Sequence, residues 1–76
     1  MRRGVIQIFL EVFFLNGKQV CKKLENEGWV CKRIRGSHHI YGKEGRKPVP
    51  IPVHGKKDLG IGLLLKIEKE TGVKLT

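Results

Sequence analysis

At 76 residues the chain has the length for one compact domain and none for a second core. A hydrophobic fraction of 39% beside a charged fraction of 30% excludes disorder as the default. Sixteen Lys and Arg against seven Asp and Glu leave a formal charge of +9, a field that favours a polyanionic partner over a neutral or acidic one.

Residues 1–14 open on Arg2 and Arg3 and run on through apolar positions, the outline of a secretory signal. Gln7 and Glu11 interrupt that run, no small-residue cleavage site follows, and the stretch is too short to span a bilayer. Two readings stay open for it: an added β-strand through Val5, Ile6, Ile8, Leu10, Val12 and Phe14, or a translated stretch upstream of the natural start. The expected organisation is therefore an extra segment over 1–14 and the functional domain over 15–76. Cys21 and Cys31 are the only cysteines, which fits two free thiols in a reduced, cytoplasmic setting with no membrane association. Neither the cysteines nor the histidines have zinc-ligand spacing, so no metal or cofactor is expected.

Asn16 is a candidate N-cap, and Val20, Cys21 and Leu24 recur at helical spacing up to the stop at Gly28, which predicts a first helix over 17–27. Residues 29–35 then alternate as a strand, with Val30, Lys32 and Ile34 on one side and Trp29, Cys31, Arg33 and Arg35 on the other. Gly36 permits a tight turn, and 38–43 resume the period of two, which makes a hairpin. The polar, glycine-rich stretch 42–47 leads into Pro48-Val49-Pro50-Ile51-Pro52-Val53. Proline at every second position removes donors from one edge only, so this stretch fits an edge strand with Val49, Ile51 and Val53 turned inward, a polyproline ligand being the alternative. After Asp58, the residues Ile61, Leu63, Leu64, Leu65 and Ile67 make a broad apolar helical face that Gly72 ends. The expected fold is α+β, in the order α-β-β-β-α, with a three-stranded antiparallel sheet, both helices on one face and the other face open.

The charge is concentrated as well as large. Between Gly28 and Lys57 the residues Lys32, Arg33, Arg35, Lys43, Arg46, Lys47, Lys56 and Lys57 face Glu44 alone, which is seven of the nine net charges. A scattered excess reads as a solvated surface; this concentration points to nucleic acid, met on the open sheet face. Lys32, Arg33, Arg35, Lys43, Arg46 and Lys47 are the candidate phosphate contacts, which add affinity and salt dependence rather than sequence choice. Tyr41 and Trp29 are candidates for stacking on bases, with core packing the alternative, the more so for Trp29 beside a helix end. His54, next to Gly55-Lys56-Lys57, is a secondary candidate for the same surface.

In chain order Asn16-Gly17-Lys18, Glu27-Gly28-Trp29, Arg35-Gly36-Ser37-His38-His39-Ile40-Tyr41, Pro52-Val53-His54-Gly55-Lys56-Lys57-Asp58-Leu59 and Gly62-Leu63-Leu64 resemble the HicA toxin family, over about Leu15 to Gly72. The resemblance implies a fold like the double-stranded RNA-binding domain, cleavage of messenger RNA, and inhibition by a HicB-like antitoxin protein. It also implies that the catalytic histidine follows the Gly-Ser pair, which is His38 here, with His39 as the fallback. Two departures accompany it: residues 1–14 lie outside the pattern, and Leu63 stands where many members carry a hydroxyl that can meet phosphate.

Histidine suits the chemistry. RNA brings its own nucleophile, the ribose 2′-hydroxyl, and an imidazole with an ordinary pKa of about 6.5 exchanges protons near neutrality, for a typical gain of about 10²- to 10⁴-fold. Strand neighbours point to opposite faces, so His38 and His39 do not share one site unless the turn distorts the strand. Ser37 is a supporting candidate, for orienting the histidine or touching phosphate, and a plain turn residue otherwise. The alternative reading of the whole chain is a non-catalytic RNA-binding or protein-interaction module with an inert histidine pair.

Overall fold

A computed structural model describes residues 15–75; the expectations placed on 1–14 lie outside the described residues. The element order is α1 (Gly17–Asn26), β1 (Val30–Arg35), β2 (His38–Gly42), β3 (Val49–Pro52) and α2 (Ile61–Thr71). The three strands form one antiparallel sheet in the order β1-β2-β3, so β1 and β3 are its edges.

Local chemistry sets the boundaries. Asn16 caps α1 with its side-chain oxygen on the Gln19 N–H at 2.9 Å, while the Gln19 side chain accepts from the Asn16 N–H at 2.8 Å, a reciprocal capping box. The helix stops at Gly28, whose φ of +92° turns the chain so that the Trp29 N–H reaches back to the Leu24 carbonyl at 3.0 Å. Gly72, left-handed at φ +75°, ends α2 in the same way and donates to the Glu68 carbonyl at 2.8 Å. The proline-rich stretch is an edge strand as its pattern predicts. Pro50 and Pro52 sit opposite Ile40 and His38, while the Val53 N–H just past the strand donates to the Ser37 carbonyl at 2.7 Å.

Both helices pack on the same side of this sheet. Val20, Cys21 and Leu24 of α1 and Leu64 and Ile67 of α2 share a core with Tyr41, Val49 and Ile51, which alternate inward from β2 and β3. Gly17 lets α1 approach closely, since a Cβ there would lie 2.2 Å from the Pro52 carbonyl oxygen. The Leu59 N–H to Leu15 carbonyl bond, 2.8 Å, ties the approach to α2 to the start of α1.

One part of the strand pattern differs from simple alternation. The pairing runs Cys31↔Tyr41 and then Arg33↔Ile40, so Lys32 is an extra residue in a bulge. Beyond the bulge the faces exchange: Ile34 lies across from His39 on the helix side, and Arg33 and Arg35 turn to the open face. The expectation that Cys31, Arg33 and Arg35 share a side therefore fails, because the inserted residue resets the period of two.

Candidate functional site

The open face is built by the same register. Arg35, His38 and Pro52 form one row across the three strands and Arg33, Ile40 and Pro50 form the next. Tyr41 faces the core, so alternation sends Ile40 outward, His39 inward and His38 outward. His38 is exposed and Arg35, also exposed, is its direct cross-strand neighbour. Lys32 lies along Gly42, whose missing side chain leaves room for its stem; a Cβ there would be 3.1 Å from two of the lysine carbons. A titratable ring and three cations thus come from two adjacent strands, and the bulge is what brings Arg33 and Arg35 to the face of His38.

On its other flank His38 borders a cleft of about 740 Å³ along the free edge of β3, where Lys47, Pro50 and Pro52 meet Lys66 and Glu70 of α2. Lys66 is a cation the sequence reading did not single out. Helical periodicity shows only that it lies off the apolar stripe, and its place on the cleft that His38 borders depends on how α2 docks.

The second histidine is held elsewhere. His39 is half-buried between Ile34 and Ile51 and lines a smaller hollow, about 490 Å³, under α1 with Cys21, Cys31 and Tyr41. The tandem imidazoles therefore occupy opposite sides of the sheet.

Two of the six candidate phosphate contacts also act within the fold. The Lys43 ammonium donates to the Glu27 carbonyl at 2.8 Å, at the end of α1. Arg46 donates through Nη2 to the Glu70 carbonyl at 3.0 Å and lies over the Trp29 ring, 5.7 Å from its centroid. Trp29 and Tyr41 are each only 2% exposed, so neither offers a base-stacking surface; both are core residues.

Ser37 and His54 meet at the end of the sheet, with Ser37 Oγ 3.3 Å from His54 Nε2. Ser37 lies in the β1–β2 turn and His54 just past β3, and a separation of 17 residues leaves no trace of this contact in the sequence. Among the described residues no three His, Cys, Asp or Glu gather as a metal site, and no helix is long and apolar enough to cross a membrane.

Under α1 the Tyr41 hydroxyl donates to Glu25 Oε2 at 2.5 Å. Burial pushes the Tyr41 phenol well above its usual range, and the bond to Glu25 acts in the same direction. Burial likewise pushes the Cys21 thiol up. Both groups keep their protons longer in the folded chain than in the unfolded one, so the stability they contribute is complete below the ordinary thiol and phenol values of about 8.5 and 10 and is lost as pH rises past them. Thermal midpoints are expected to stay level from pH 7 to about 8.5 and to fall above it, less steeply in Tyr41→Phe. A midpoint that holds level to pH 11 in the unsubstituted chain would contradict this.

Residues 17–73 match the family described as HicA toxin of bacterial toxin-antitoxin, most of the chain. No curated protein matches it.

Proposed function

Because the chain belongs to the HicA toxin family of bacterial toxin-antitoxin systems, we propose that it acts by cutting messenger RNA, with His38 as the catalytic histidine and no metal or cofactor. The observation that carries the reading is the row Arg35–His38 on the open sheet face: an exposed imidazole with a guanidinium directly across the strand pair. In this mechanism His38 takes the proton from a ribose 2′-hydroxyl, and the oxygen so freed attacks the adjacent phosphorus. Charge grows on the phosphoryl oxygens as it does so. Arg33, Arg35 and Lys32 face that charge from the same surface, with Lys47 along the cleft. Lys43 and Arg46, already bonded to the ends of α1 and α2, are better suited to shaping the surface than to gripping a phosphate.

The fold is read as dsRBD-like, in keeping with RNA as the substrate, and the partner that silences the toxin as a HicB-like antitoxin. A partner that covers the open face would shut off His38 and the cations together. The test is direct: the purified chain, in excess EDTA, should cut a labelled messenger RNA into fragments ending in 2′,3′-cyclic phosphate and 5′-hydroxyl. RNA that is bound but stays intact would leave a binding module in place of the nuclease.

A further inference from the structure

Attack by the 2′-oxygen accounts for one proton. The departing 5′-oxygen needs another, and His38, having just received the first, is not free to supply it in the same step. We propose that His54 is the second acid–base group of this site and protonates the leaving 5′-oxygen, with Ser37 as its positioning residue; the proposal rests on the ribonuclease reading above.

The geometry places His54 next to the His38 row. His54 Nε2 is 3.3 Å from Ser37 Oγ, and Ser37 is the chain neighbour of His38. The path from the His54 ring to the His38 Cα is one hydrogen bond, one short side chain and one peptide, about 10 Å at most, a gap that the His38 side chain narrows when it turns toward the same end of the sheet. Pro52, two residues before His54, is itself the cross-strand partner of His38. The segment is fixed on both sides of the ring. The Val53 N–H bonds the Ser37 carbonyl at 2.7 Å, and the Lys57 N–H bonds the His54 carbonyl at 3.0 Å across a turn in which Gly55 takes φ +57°. Ser37 and His54 both lie beyond the strand ends, where the division into two faces lapses, so a phosphodiester laid across the end of the sheet meets both rings. His39, on the helix side between Ile34 and Ile51, has no such access.

The hydroxyl contact also selects the nitrogen that does the work. With Nε2–H donating to Ser37 Oγ, both in the protonated ring and in the neutral ring left after the transfer, the Nδ1–H of the protonated ring is free to face the leaving oxygen. The step balances: the O2′–H proton goes to His38, the O2′–P bond forms, the P–O5′ bond breaks, and the His54 proton goes to O5′. Cyclic phosphate and 5′-hydroxyl result, and no water or further reactant is consumed.

The roles separate through the leaving group. At a mapped cut site, a bridging 5′-sulfur in place of the 5′-oxygen departs as a weakly basic thiolate and needs no acid. In single-turnover assays His54→Ala should cut the ordinary RNA about 10²- to 10⁴-fold more slowly and the sulfur-containing RNA within a few-fold of the unsubstituted chain, whereas His38→Ala should stay slow on both. His54→Gln, which keeps a side-chain partner for Ser37, should behave as His54→Ala and controls for any loss of fold. Full speed of the His54 variants on ordinary RNA, or equal slowness on both substrates, overturns the proposal while leaving His38 in place. An unsubstituted chain that cuts neither RNA overturns the ribonuclease reading itself.

Discussion

His38→Ala is expected to lower the rate of RNA cleavage by about 10²- to 10⁴-fold while leaving fold and RNA affinity close to those of the unsubstituted chain. The separation of effects follows from where the ring sits. His38 is exposed at the start of β2, with no partner in the core, so its loss belongs with surface substitutions, usually within about 0.5 kcal/mol. Lys32, Arg33, Arg35 and Lys47 remain in the variant and carry the phosphate contacts, so binding and its salt dependence persist. His39→Ala should show the opposite profile. It removes a half-buried ring packed between Ile34 and Ile51, and its effect should appear as a lower melting temperature with cleavage retained. Cleavage rates, binding curves and melts on the three proteins check this, and full activity in His38→Ala with loss in His39→Ala would transfer the role to the neighbouring residue.

Trp29→Ala should be the most destabilising single change, at about 3–5 kcal/mol. Trp29 is the largest of the fully buried side chains and lies at the junction of α1 and β1. Its ring supports the Arg46 guanidinium, and Arg46 in turn bonds the Glu70 carbonyl near the end of α2, so the substitution opens a cavity and loosens a second element with it. Folded domains hold only about 5–15 kcal/mol in all, and short chains lie toward the bottom of that range. The variant should therefore be largely unfolded near 37 °C, visible as a collapse of the urea midpoint. Trp29→Phe should cost much less, because the indole Nε1–H has no hydrogen-bond partner among the described residues to lose. Equal midpoints for Trp29→Ala and the unsubstituted chain would show that the core is not organised around this residue.

Much of the fold was legible because local rules decide it. Asn16 and Gly28 bracket α1, Gly72 ends α2, and alternating proline confines any strand it forms to a sheet edge; each is a short-range constraint written in adjacent residues. The split of His38 and His39 between faces follows from strand geometry for the same reason. What escaped depends on tertiary register. Alternation put Arg33 on the side of Cys31, and only the bulge at Lys32 moves it to the face of His38. Lys43 and Arg46 read as free cations, yet each reaches a helix end across the fold. Tyr41 offered an aromatic surface in sequence, but its bond to Glu25 belongs to the core side of the sheet. The Ser37–His54 contact joins two turns that only the β2–β3 pairing brings together.

Cleavage of an RNA whose cut site has been mapped, compared with the same strand carrying a single 2′-deoxynucleotide 5′ to the scissile phosphate, tests the central claim most directly. If an imidazole draws a proton from the ribose, the substituted strand should bind as well as the parent and remain whole at that position. Scission there at the parent rate would mean that the nucleophile is something other than the sugar hydroxyl, and the role given to His38 would fall with it.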